Sequence, residues 1–131
     1  MKKQELQIAT QKYKNCVDAK RHPDVSGDVV VVSLDGFIDG YSCAKLKQTF
    51  DRLIKQRIYK FIVDLSQIDY LSSHGVHIFI NVFWLTQEKK GNIILVNPKP
   101  NVREVFASLG LTQIFTITNE VTARNLLKAK L

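Results

Sequence analysis

The stretch that decides the fold is Lys60 to Phe83, KFIVDLSQIDYLSSHGVHIFINVF. Phe61-Ile62-Val63 is apolar at consecutive positions, which suits a strand covered on both faces better than one with a wet side. Asp64-Leu65 closes the run, and Ser66-Gln67 predicts a short polar turn. Ser72-Ser73-His74-Gly75 then opens an apolar segment with helical spacing. Val76, Phe79, Ile80 and Phe83 form one stripe of it and Ile78, Val82 and Leu85 another. Two serines delivered by a strand to a helix start lie where unpaired backbone N–H groups converge and the helix dipole is positive, a place suited to phosphate.

Working outward, Val29-Val30-Val31-Val32 predicts a strand ended by Asp35-Gly36, and Glu5 to Tyr13 an earlier one, antiparallel to it. Between them Lys14 to Asp28 is polar, carries Pro23 and Ser26-Gly27, and reads as a long loop. A junction, Gly36 to Ser42, leads into a helix to about Gln56 whose buried face holds Cys43, Leu46, Phe50, Leu53 and Ile54, with Asp39 or Ser42 as its cap. The helix that starts near His74 runs to about Lys90, and Gly91 is its stop. Asn92 to Val96 is a fourth strand. Asn101 and Glu104 resemble a capping box ahead of a short helix with a Gly110 C-cap. Ile114 to Ile117 is a last strand, and Asn119 caps a last helix.

The order β-β-α-β-α-β-α-β-α predicts an α/β fold. Its mixed, mostly parallel sheet has about five strands, with about four helices and right-handed crossovers. Sites in such sheets lie at the carboxyl ends of the strands. Asp35 to Asp39, Asp64 to Ser66 and Ser72 to Gly75 are expected to gather there.

The 131 residues make one domain, 1–131, with a core of about 5–127 that needs no disulfide. Cys16 and Cys43 lack metal or redox spacing and read as reduced thiols of a cytoplasmic protein. No apolar run is long enough for a bilayer and MKKQELQIAT has no secretory pattern, so membrane insertion is not expected. Nineteen Lys plus Arg against 12 Asp plus Glu give a net charge of +7, but the cations are spread along the chain without a nucleic-acid motif. A solvated basic surface or an acidic protein partner fits this better than direct nucleic-acid binding.

Catalysis finds no support. Ser73 and His74 are adjacent at a helix start, where side chains point apart, and no nucleophile elbow is present. His74 and His77 lack a third ligand, so no metal is expected. No phosphate-binding glycine loop occurs, and no cofactor is expected.

At this point FIVDLSQIDYLSSHGVHIFI resembles the signature of the STAS domain, specifically of anti-sigma-factor antagonists. VVSLDGFID is similar to the family's strand-Gly-x-Leu-Asp element, and VREVFASLGLTQIF to its third helix and last strand. The resemblance spans about Glu5 to Leu127. It implies a single STAS-type domain. Counting back from Gly75, it places the phosphoacceptor on Ser73, with Ser72 as a rival. Ser72 stands where the family has an aspartate, and His74 where it has a second serine. Asp39 matches an acidic residue near the phosphorylation site and Asp64 the end of the preceding strand.

The resemblance further implies a non-enzyme that, unmodified, binds an anti-sigma factor that is itself a serine kinase, so releasing the sigma factor. Phosphorylation switches it off and a PP2C-type phosphatase resets it. The alternative is a STAS scaffold or subunit of a membrane transport or signalling complex without the switch. The Lys14 to Asp28 stretch exceeds the family's usual hairpin.

Overall fold

In the computed structural model, which describes residues 5–18 and 22–127, Phe61, Ile62 and Val63 lie in parallel register with Val30, Val31 and Val32 on one side. On the other side they align with Ile93, Ile94 and Leu95. All of these side chains are buried, as their unbroken apolar runs require. The elements in order are β1 (Gln7–Asp18), β2 (His22–Ile38), α1 (Cys43–Lys55), β3 (Lys60–Leu71), α2 (Ser73–Glu88), β4 (Asn92–Val96) and α3 (Pro100–Ser108). A 3-10 turn (Leu111–Gln113), β5 (Thr116–Thr118) and α4 (Glu120–Leu127) complete them. The sheet order is β1-β2-β3-β4-β5, with β1 antiparallel to β2 and every other pair parallel.

Strand alternation divides the apolar residues between two cores. Val30, Val32, Phe61, Val63, Ile93 and Leu95 face α1, α2 and α3. There a chain of rings links Phe61 to Phe50 (5.2 Å), Phe50 to Phe79 (6.1 Å) and Phe79 to Phe106 (6.2 Å). Val29, Val31, Ile62, Ile94 and Val96 face α4, through Ala123 and Leu127. The Asn119 carboxamide caps α4, accepting from the Thr122 N–H at 2.8 Å, as its sequence position predicts.

Several expectations are corrected. The loop expected over 14–28 is mostly strand: β1 continues to Asp18 and β2 starts at His22, with 19–21 outside the described residues, and the two pair as a ribbon that bulges between Tyr13 and Cys16. Its polar sequence is compatible with a strand because the backbone groups pair with each other. Cys16 turns inward onto Val29 and Val31, and the Lys60 ammonium donates to its carbonyl at 2.7 Å. The turn at Ser66-Gln67 is absent, and β3 runs on to Leu71. Asp35-Gly36 does not end β2. Two register shifts, after Ser33 and after Gly36, let the strand pass through Gly36 at φ 118° and pair Ile38 with Leu71. The capping box at Asn101 does not form: Lys99 is the N-cap, Pro100 opens α3, and the Asn101 amide donates to Asp69 O at 2.8 Å.

Candidate functional site

β2 and β3 end side by side, and the Ser72 N–H donates to Ile38 O at 2.8 Å. That bond places the start of α2 against the β2–α1 junction. Ser72 is extended (φ −83°, ψ 165°) and is the N-cap of α2, its hydroxyl accepting from the Gly75 N–H at 3.2 Å. Gly75 is buried because there is no room for a side chain. A Cβ there would lie 2.6 Å from Ile38 Cγ2 and 2.7 Å from Leu71 Cδ1. Ser73, the first helical residue, and His74 beside it are both exposed.

Across the corner, the Asp39 carboxylate accepts from the backbone N–H groups of Ser42 (2.9 Å) and Tyr41 (3.0 Å). Ser42 is the N-cap of α1 by position, but its side chain makes no cap bond to the helix. Its hydroxyl donates to Phe37 O at 2.8 Å and lies 3.1 Å from Asp39 Oδ1. The Ser42 N–H above all, with its hydroxyl and the Tyr41 N–H, holds the Asp39 carboxyl below the usual carboxylate range, against a smaller opposing effect of burial. Cys43 sits between the two helix starts. Burial pushes its thiol pKa up, the Ser72 hydroxyl within hydrogen-bond reach pulls it down, and the Asp39 charge adds to the rise.

Asp39, Cys43, Ser72, Ser73, His74 and Gly75 therefore share one corner. Asp64 does not join them. It pairs with Ser33 and Val96 well down β3, its carboxylate accepts from the Ser66 N–H at 2.9 Å, and it lines a separate depression with Ser33, Asp35 and Gln67. Three residues at or near the corner escaped the sequence reading. Cys43 had looked like an ordinary core thiol. Tyr41 is 96% exposed and Tyr70, ringed against Phe37 at 5.8 Å, is 46% exposed. An aromatic inside the polar junction GFIDGYS was the available signal for Tyr41.

The model of the STAS domain family matches residues 17–123, and the chain belongs to that family. It is 27% identical over 97 residues to the anti-sigma F factor antagonist of Paenibacillus polymyxa, covering 72% of this chain and 83% of the relative. With the anti-sigma-B factor antagonist of Listeria monocytogenes it shares 23% identity over 92 residues, 70% and 81% of the two chains. Among solved structures, SpoIIAA in its unphosphorylated form superposes with a TM-score of 0.69 at 22% identity, covering 94% of this chain and 99% of that one. The phosphorylated form of SpoIIAA, from Bacillus, gives 0.61 at 23% identity, with 89% and 97% covered. The fold is thus the SpoIIAA-like STAS fold. Among the described residues no helix is long and apolar enough to cross a membrane.

The Asp39 geometry has a pH consequence. Its folded pKa lies below that of an ordinary aspartate. A group shifted this way adds stability at pH values above its unfolded pKa, about 4, and loses that contribution as pH falls through the folded pKa. A carboxyl-carbon NMR titration of Asp39 is expected to show a midpoint below that of an ordinary aspartate, and Asp39→Asn to flatten the acid limb of the stability curve.

Proposed function

We propose that the chain is an anti-sigma-factor antagonist that binds an anti-sigma factor kinase while unmodified and lets it go when phosphorylated on Ser73. The observation that carries this is the division of labour between the two serines. Ser72 is half-buried and committed to capping Gly75, whereas Ser73 stands exposed at the first helical position. A kinase needs a hydroxyl it can reach, and withdrawing Ser72 would uncap α2. The family resemblance, and a structural relative solved in both phosphorylated and unphosphorylated forms, support the same reading.

The energetics are consistent. A phosphoseryl group brings about −1.5 to −2 charges, which the N-terminus of α2 tolerates through its free N–H groups and dipole. Release then arises at the partner, which meets new charge in the corner that already holds the ionised Asp39. The exposed rings of Tyr41 and Tyr70 supply the apolar contact that such an interface uses at its centre. A PP2C-type phosphatase reverses the mark.

Incubated with ATP and its anti-sigma factor kinase, the protein is expected to gain one phosphate, placed on Ser73 by tandem mass spectrometry. Ser73→Ala should stay unlabelled. Ser72→Ala should still be labelled while losing about 1 kcal/mol of stability with its cap. Phosphate on Ser72 instead, or none on the wild type, would overturn the proposal.

A further inference from the structure

β3 runs from Lys60 up to Leu71, so the pole of the sheet at Lys60 is the one away from Ser73. At that pole Arg57, Lys60, Lys89 and Lys90 surround a pocket of about 230 Å3. Among the described residues, Asp28 is the one acidic residue in its lining. The Lys60 ammonium lies at the floor, 3% exposed as a residue and already donating to Cys16 O. Lys89 is held over the Tyr59 ring, its ammonium 5.9 Å from the centroid.

Two of these cations stand where the backbone disfavours them. Arg57 has φ 65° and Lys90 φ 59°, both left-handed. Each directly follows the C-cap of its helix, Gln56 for α1 and Lys89 for α2. That is the position at which helices ordinarily place glycine, because a Cβ is strained there. The fold alone would favour glycine at both. Instead both carry a long cationic side chain, and both side chains line the same pocket. Strained backbone of this kind persists where something other than stability keeps it.

Balancing helix dipoles accounts for part of the charge. Lys60 is already engaged at the floor; the charges of Arg57, Lys89 and Lys90 still exceed, by about one unit among the described residues, the two helix C-termini (about one negative unit together) and Asp28. The pocket is also below the roughly 300 Å3 at which sites for drug-sized molecules begin, a size for a head group. An arginine fork with ammonium groups around such a space is the donor set that phosphate oxygens accept from.

We infer that this pole binds a phosphate-bearing anion, at a site separate from the Ser73 corner. The phosphate can belong to a soluble molecule or to the head group of an acidic lipid, and the test separates the two. Binding is measured by calorimetry with sodium triphosphate, and by co-sedimentation with phosphatidylglycerol-containing vesicles against phosphatidylcholine alone. The key variant is Arg57→Gly with Lys90→Gly, which relieves both strained positions. Arg57→Asn with Lys90→Asn serves as a second variant whose residues also accept left-handed backbone. The expected result is saturable, salt-sensitive binding that falls at least tenfold in both variants while Tm stays level or rises. Binding of triphosphate indicates a soluble ligand; binding of phosphatidylglycerol vesicles alone indicates the lipid. No binding to either, or binding undiminished in the variants, overturns the inference.

Discussion

Gly91→Ala is expected to lower the unfolding free energy by about 3 kcal/mol and the melting temperature by roughly 10 °C. Gly91 looks from the sequence like a helix stop, chosen for left-handed backbone. It is not: the left-handed residue after α2 is Lys90, and Gly91 is outside the positive-φ glycines. Its role is space. A Cβ at this position would sit 1.8 Å from Tyr59 O and 2.6 Å from the carbonyl carbon. That carbonyl cannot swing aside cheaply, because it accepts from the Asn92 N–H at 2.9 Å where β4 begins beside β3. Gly91 is tied in turn to the end of α2 by its own N–H, 2.7 Å from Thr86 O. A methyl group therefore has to break the start of the β3–β4 ladder or pull α2 away from it. Gly110 makes the contrast: it has φ 72° and open space around it, so alanine there costs only the strain of the dihedral, about 1 kcal/mol. Urea unfolding of both variants measures the difference. A Gly91→Ala loss no larger than that of Gly110→Ala would show that the connection yields, and that steric exclusion does not explain the glycine.

What could be read from the sequence follows how local the determining physics is. Val29 to Val32, Phe61 to Val63 and Asn92 to Val96 announce buried strands by composition alone, and the strand-helix alternation around them leaves little choice of topology. The extent of β3 was not legible. Ser66 and Gln67 have the look of a turn, yet Gln67 pairs with Asp35 and Ile68 with Gly36, across bulges that only the partner strand reveals. The length of β3 is also what keeps Asp64 away from the serines. If the chain had turned at Ser66, Asp64 would have ended its strand near the serines; because β3 continues to Leu71, it remains below them. The strand pairing over 14–18 and 22–28 is hidden for a related reason. A polar two-stranded extension is stabilised by cross-strand hydrogen bonds and has no hydrophobic period to display. At the corner, Ser73 and Asp39 were reachable through the family resemblance. The capping role of Ser72 depends on its extended backbone and on the bond from its N–H to Ile38 O, neither of which its residue type discloses.

If Ser73 is the switch, Ser73→Glu is expected to bind the anti-sigma factor about 100-fold more weakly than the wild type, close to 2.7 kcal/mol. Its own fold should not weaken. A carboxylate at the first position of α2 faces free N–H groups and the positive end of the dipole, which is favourable by about 0.3–1 kcal/mol. Stability and affinity are therefore expected to move in opposite directions, a pattern that a misfolded variant cannot produce. Glutamate brings a single charge where phosphoserine brings about −1.5 to −2, so the true phosphoprotein should bind more weakly still. Ser73→Ala should bind like the wild type, because the hydroxyl is exposed and the cap of α2 comes from Ser72. Part of the Glu effect should fade with salt, since an exposed charge is screened over about 10 Å at 0.1 M ionic strength. The part that survives reports desolvation inside the closed interface. Titration calorimetry at two salt concentrations, beside thermal unfolding of each variant, measures all of these quantities. Equal affinity for Ser73→Glu and wild type at low salt would remove Ser73 from the interface, and the proposed switch with it.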